Sequence, residues 1–150
     1  MRHIGLVSDT HGLLRRELVT GLRGVEQILH LGDVGNAAIL PALAEIAPVK
    51  AVRGNVDRGL WADALPESLV VEVFGVEAYL LHDPGHLDLD PLEAGFGFVF
   101  HGHTHRPRED DIGGVRYVNP GSIGPRRFEL PISYALIDEK LRVEFVRLAS

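Results

Sequence analysis

The sequence predicts an α/β fold: two mixed sheets facing each other, flanked by helices, in a single domain spanning residues 1–150. Three observations predict it. Short apolar runs alternate with helix-spaced apolar residues at the start of the chain, the order of a parallel sheet with helices packed on it. Asp9, Asp33 and Asn55 follow the first three runs in turn, and parallel sheets gather ligands at the carboxyl ends of their strands. The second half is richer in strand signals, which a second sheet accommodates. The pattern does not force two sheets over one mixed sheet.

The first run, with Ile4, Leu6 and Val7, reads as a buried strand that leads into Ser8-Asp9-Thr10-His11-Gly12. Asp9 and His11 are two apart, so a carboxylate and an imidazole can share one face. Leu14, Leu18 and Leu22 recur at the four-residue spacing of one helix face. Gln27 to Leu31 is the second run and ends in Gly32-Asp33-Val34-Gly35-Asn36; His30 within it reads as a packed or supporting residue. Ile39, Leu43 and Ile46 suggest a second helix, with Pro41 near its start. Pro48 to Val52 is the third run and ends in Arg53-Gly54-Asn55-Val56-Asp57, where Asp57 reads as a turn cap or orienting group.

Residues 58–68 read as irregular, with Trp61 packed at the edge of the domain, and exposed apolar residues in 58–69 suggest a homodimer. Leu69 to Phe74 and Val76 to Leu81 form two strands around a tight turn at Gly75. The second ends at His82-Asp83-Pro84-Gly85-His86. Phe98 to Phe100 leads into His101-Gly102-His103-Thr104-His105, where three histidines alternate. In an extended chain such side chains point the same way, and imidazole is the commonest metal ligand. Arg116 to Val118 is a further strand, closing in Asn119-Pro120-Gly121-Ser122, whose free amides near Gly121 and Ser122 could meet phosphate. Ile132 to Ile137 and Leu141 to Val146 read as a terminal hairpin.

Composition narrows the function. The chain is 45% hydrophobic and 24% charged, as in soluble globular proteins. No apolar run is long enough to span a bilayer and no leader opens the chain, so no membrane association is expected. Cysteine is absent, which excludes disulfides and thiolate ligands and fits a cytoplasmic location. A formal charge of -6 without a basic block argues against non-specific nucleic-acid binding.

With Asp9-Thr10-His11, Gly32-Asp33, Gly54-Asn55, His82 and Gly102-His103-Thr104-His105 in this order, the chain resembles the calcineurin-like metallophosphoesterases, and most of all their small bacterial and archaeal phosphodiesterases. The resemblance runs from Asp9 to about Arg127 and implies a four-layered α-β-β-α sandwich with two divalent metal ions. It implies that Asp9, His11 and His105 hold the first ion and Asn55, His82 and His103 the second, with Asp33 bridging. Asp33, Asn55 and His103 are then the expected catalytic residues. Such donors suit Mn, the expected ion, or Fe, Zn, Ni or Co. Two such ions about 3.5–4 Å apart share a hydroxide that attacks phosphorus in line.

The implied activity is hydrolysis of a small phosphate ester, with a diester preferred. A phosphomonoesterase acting on nucleotides or phosphoproteins is the enzymatic alternative. A non-catalytic protein-binding scaffold of the same fold is the other. Two departures matter. Val56 stands where many relatives carry a leaving-group histidine, so the proton comes from elsewhere or good leaving groups are preferred. His82-Asp83-Pro84-Gly85-His86 replaces the usual His-Gly-His, and His86 could line the substrate mouth or replace His82 as ligand. Arg126 or Arg127 could supply a charged donor to phosphate.

Overall fold

The computed structural model describes residues 1–148. Two five-stranded mixed sheets face each other. The first contains β1 (His3–Val7), β2 (Gln27–His30), β3 (Val49–Ala51), β9 (Ile132–Asp138) and β10 (Val143–Leu148) in the order β10-β9-β1-β2-β3. β1, β2 and β3 run parallel, and β9 and β10 are antiparallel additions at one side. The second sheet contains β4 (Ser68–Val73), β5 (Val76–Leu81), β6 (Phe98–Phe100), β7 (Arg108–Ile112) and β8 (Val115–Asn119) in the order β4-β5-β6-β8-β7. Its central β5, β6 and β8 are parallel, and β4 and β7 pair antiparallel at its edges.

The period-two alternation of the strands builds the layers. Ile4 and Leu6 of β1, Leu29 of β2, Ala135 and Ile137 of β9, Val71 and Val73 of β4, Leu80 of β5 and Phe98 and Phe100 of β6 share one buried cluster, the filling between the sheets. Val7, Ile28 and Tyr134 point to the other face of the first sheet. There they meet Leu18 and Leu22 of the segment around α1 (Arg16–Gly21) and Ile39 and Leu43 of α2 (Ile39–Ala44). Pro41 is tolerated because it falls in the first turn of α2, where backbone N–H groups lack intrahelical partners.

The outer face of the second sheet buries Leu81, Val99 and Val115 against Leu87 and Tyr117. The outer layer here includes a short 3₁₀ turn at Pro84–His86. Residues 58–68 are not wholly irregular: α3 (Leu60–Asp63) is a single turn that buries Ala62, while Trp61 packs against the first sheet's outer cluster. Leu60 beside it is 90% exposed. β7 is a strand the sequence pattern does not reveal. Its Arg108-Glu109-Asp110-Asp111 run is charged because β7 is an edge strand, where charge discourages further pairing. Among the described residues, no helix is long and apolar enough to cross a membrane.

Candidate metal centre

The six parallel strands of both sheets direct the candidate ligands to one end of the sandwich. Asp9 and His11 follow β1, Asp33 follows β2, Asn55 follows β3, His82 follows β5, and His103 and His105 follow β6. Backbone bonds tie these ends together. The Asp9 N–H donates to the Gly32 carbonyl and the His11 N–H to the Asp33 carbonyl, both at 3.0 Å. The Gly102 N–H donates to the His82 carbonyl at 3.0 Å. The His103 N–H crosses between the sheets to Asp9 Oδ2 at 3.3 Å. Two motif glycines follow from this crowding. A Cβ on Gly54 would stand 2.1 Å from the Asp33 amide nitrogen, and one on Gly102 would stand 2.0 Å from Ser8 Oγ.

The backbone at the candidate ligands is strained. Asp9, His11, Asp33, His103 and His105 have φ of 59°, 46°, 55°, 75° and 63°, a region that side chains other than glycine occupy at a cost. Such conformations gather at functional sites. They also correct the extended reading of the histidine run. β6 stops at Phe100, and left-handed turns set the directions of His103 and His105. His101 is buried apart from them, its Nε2 3.2 Å from Arg108 Nη1, and burial pulls its pKa down to about 4.

The donor atoms converge on the two buried carboxylates. Asp9 Oδ1 lies 3.4 Å from His105 Nε2 and 3.8 Å from both His11 Nε2 and His82 Nε2. Asp33 Oδ2 lies 3.2 Å from His82 Nε2 and 3.6 Å from His11 Nε2. Ligand atoms of Asp9, His11 and His105 fall within 4.8 Å of one another, as do those of Asp9, Asp33 and His82. Asp9 Oδ1, His11 Nε2 and His105 Nδ1 are buried without a hydrogen-bond partner. A buried polar atom left so costs about 1–3 kcal/mol, and a cation would satisfy Asp9 Oδ1 and His11 Nε2, 3.8 Å apart, together. The donor set of carboxylates and imidazoles fits a divalent transition metal.

Asn55 closes one side of this group. One end of its carboxamide lies 3.1 Å from His82 Nε2 and 3.3 Å from each Asp33 oxygen. With NH₂ there it donates to the carboxylate; with oxygen there it joins the acceptors that face a cation. His103 stands further out. Its ring is 5.2 Å from that of His82, but its Nε2 faces Asp83 Oδ2 at 3.8 Å, and it belongs to neither compact group. His82, not His86, is the histidine brought to the carboxylates; the His86 side chain is 82% exposed.

Electrostatics follow from this packing. Burial pushes Asp33 up, but its hydrogen bond and charge interaction with His82, with the Val56 N–H, outweigh it and hold the carboxyl at about 2. His82 is raised, because Asp33 and Asp9 outweigh its burial. His11 is lowered, chiefly by burial. The Leu31 carbonyl, 2.7 Å from His82 Nδ1, accepts that N–H and leaves Nε2 toward the carboxylates.

The supporting residues hold the loops. Buried Asp57 accepts the backbone N–H groups of Val34, Gly35 and Gly54, joining the Asp33 and Asn55 loops. Ser8 Oγ donates to Asp9 Oδ2 at 2.6 Å. Asn119 Nδ2 donates to the Gly102 carbonyl and to Thr104 Oγ1, both at 3.1 Å, and so fixes the histidine loop. The strand-end rule that finds Asp9 and Asp33 also applies to Asn119. The Gly121 N–H is already donated to Asn119 Oδ1 at 2.9 Å, so it is not the free phosphate donor expected from the sequence.

His30 is a supporting residue with a testable signature. Its Nδ1 accepts the Gly32 N–H at 3.1 Å, and its Nε2–H donates to Thr10 Oγ1 at 3.0 Å, whose O–H donates to the Val34 carbonyl. The chain closes with a neutral imidazole, and burial lowers its pKa to about 4. The unfolded chain binds this proton first, near the ordinary value of about 6.5. Stability from neutral His30 is thus full above about pH 6.5 and is lost as pH falls toward 4, by up to about 3 kcal/mol. Urea unfolding of metal-free protein at stepped pH is expected to show this loss. His30→Gln is expected to flatten the dependence by about one proton; an unchanged slope would refute the assignment.

The predicted substrate side opens beside Asn55 and His82. A cleft of about 350 Å³ is lined there by Arg53, Glu67, Tyr79, Asp83 and His86 among others. Asp83 is a charged member that the sequence reading passes over. A carboxylate before Pro-Gly looks the same whether it only caps a turn or also faces an imidazole. Arg126 and Arg127 are exposed; Arg126 Nε donates to the Leu130 carbonyl at 3.2 Å, and the charge of Arg127 reaches His11.

Residues 1–141 match the family model of the calcineurin-like phosphoesterase superfamily domain. A probable metallophosphoesterase of Methanothermobacter thermautotrophicus is 34% identical over 96% of this chain and 91% of its own. Among solved structures, one reported as a novel archaeal phosphodiesterase superposes with a TM-score of 0.84 at 22% identity, covering 97% of this chain and 99% of that one. Vps29 of Chaetomium thermophilum superposes with a TM-score of 0.79 at 20% identity, covering 99% and 97%. At such identities the two structures speak for the fold. The matched family model and the archaeal relative go further, and place this chain in the calcineurin-like phosphoesterase superfamily.

Proposed function

We propose that the protein is a metal-dependent phosphodiesterase acting on a small phosphate ester. The observation that carries this reading is the set of buried, unpartnered ligand atoms on Asp9, His11 and His105, next to the Asp33–His82 group. In this reading Asp9, His11 and His105 would hold one divalent ion and Asn55, His82 and His103 a second, with Asp33 shared between them. Manganese is the expected ion, with Fe, Zn, Ni and Co as alternatives. Bound there, two ions would lower the pKa of a shared water and polarise the phosphoryl oxygens.

The chain supplies orientation and charge. Asp33, held at about 2, stays a carboxylate throughout the neutral range. The Leu31 carbonyl fixes the ring of His82. Asn55 and His103 are the exposed members of the set, on the side from which an ester arrives, so they orient its phosphoryl oxygens. Water attacks phosphorus opposite the leaving alcohol, and bound cations would stabilise the charge that builds on the equatorial oxygens. Diester preference is supported by the cleft, where Glu67, Asp83 and Asp88 accompany Arg53. That surplus of carboxylates disfavours a doubly charged monoester more than a singly charged diester.

Metal-stripped protein reloaded with Mn, Zn, Ni, Fe or Mg tests the reading on bis-p-nitrophenyl phosphate and p-nitrophenyl phosphate. Manganese is expected to restore the highest turnover, with the diester favoured at least about tenfold. A monoester preference would move the protein to the phosphomonoesterases. Hydrolysis of neither ester with any ion would leave the reading of a non-catalytic protein-binding scaffold.

A further inference from the structure

We propose that His86 is the acid that protonates the leaving alcohol, and that Asp83 positions it. This assignment rests on the phosphodiesterase reading and deepens it. An alkoxide is a poor leaving group, and a positioned acid relieves that cost. Val56, beside Asn55, has no proton to give. The cleft next to Asn55 and His82 does contain candidates outside the proposed ligand set: Arg53, Tyr79 and His86. Arg53 is paired with Glu67 at 3.0 Å and Asp63 at 3.8 Å, and a guanidinium keeps its proton. The ring of Tyr79 is packed on Phe96 with centroids 5.2 Å apart. Histidine is the side chain that exchanges protons near neutrality.

The turn after β5 is built to present this histidine. Asp83 Oδ1 accepts the Gly85 N–H at 2.9 Å, and the His86 N–H donates to the Asp83 carbonyl at 3.0 Å. Pro84 opens the turn, so His86 emerges four residues after His82 on a short, stiff support. Asp83 Oδ2 lies 3.7 Å from His86 Nε2 and 3.8 Å from His103 Nε2. One carboxylate oxygen thus stands between the outermost proposed ligand and the exposed imidazole. Glu67, Asp88 and Arg53 are the other charged groups on the cleft wall.

In the step, the attacking water forms the new P–O bond and gives its proton to solvent. The P–O bond to the leaving alcohol breaks, and its electron pair stays on the leaving oxygen. That oxygen takes the proton from His86, and neutral His86 regains one from solvent.

Two diesters of similar shape test the assignment: p-nitrophenyl methyl phosphate, whose leaving group needs no proton, and benzyl methyl phosphate, whose leaving group does. His86→Gln is expected to lower kcat on the benzyl ester at least about 30-fold more than on the p-nitrophenyl ester, within the usual range for a lost acid. Asp83→Asn keeps an acceptor for the Gly85 N–H and is expected to give the same selectivity at about tenfold. Bound metal, measured on each variant, is expected to match the wild type. Equal losses on both esters, loss of metal from His86→Gln, or wild-type turnover confined to the p-nitrophenyl ester would overturn the assignment while leaving the phosphodiesterase reading standing. Wild-type protein inert toward both esters with every ion would overturn that reading, and this one with it.

Discussion

Asp33→Ala is expected to abolish metal-dependent hydrolysis, with kcat/KM falling by more than about 100-fold. Losing a residue that merely supports a metal ligand costs about 10–100-fold; Asp33 is the group on which the proposed ligands meet. Its Oδ2 is 3.2 Å from His82 and 3.6 Å from His11, and both of its oxygens are 3.3 Å from the Asn55 carboxamide. Its Oδ1 also accepts the Val56 N–H at 3.1 Å. Bound metal is expected to fall along with turnover, so elemental analysis and an activity assay on one sample make the check. Turnover that survives at normal metal occupancy would defeat the proposed centre. The variant is also expected to be less stable at neutral pH. A carboxyl held at about 2 contributes about 2 kcal/mol above its ordinary value near 4, a contribution lost as pH falls toward 2. Urea unfolding of the metal-free variant separates this modest loss from the loss of chemistry.

Asp57→Ala is expected to cost about 3–5 kcal/mol of stability, because three backbone donors lose their acceptor and a buried donor left unsatisfied costs about 1–3 kcal/mol. The carboxylate accepts the Val34 N–H at 3.2 Å, the Gly35 N–H at 3.0 Å and the Gly54 N–H at 2.8 Å. Alanine leaves all three donors without that acceptor in a place where water has little access, since Asp57 is 6% exposed. The melting temperature is expected to drop by about 10 °C or more. Asp57→Asn keeps one accepting oxygen and is expected to lose roughly half as much. The three donors lie in the loops that carry Asp33 and Asn55, so metal affinity is expected to fall in the same order. A variant as stable as the wild type would show that these bonds do not hold the loops together.

Much of this centre was legible because parallel strands make a simple promise: apolar residues within, chemistry at the carboxyl end. Asp9, Asp33, Asn55 and His82 all stand where that promise puts them. The legibility ended where periodicity did. The histidine run looked extended, yet its turns are left-handed, and nothing in residue spacing announces a change in the sign of φ. β7 escaped because an exposed edge strand has no apolar face to bury. Asp83 escaped because its relation to His103 is spatial, formed only when β5 and β6 lie side by side.

Under the proposed ligand assignment, the left-handed backbone at Asp9, His11, Asp33, His103 and His105 sets heat tolerance and chemistry against each other. Glycine would relax each of these positions by about 1 kcal/mol or more, and each such exchange would remove a donor. A laboratory selection that rewards thermal survival alone would therefore drift toward a sturdier, inert molecule. One that rewards turnover must look for its stabilising changes elsewhere in the sandwich.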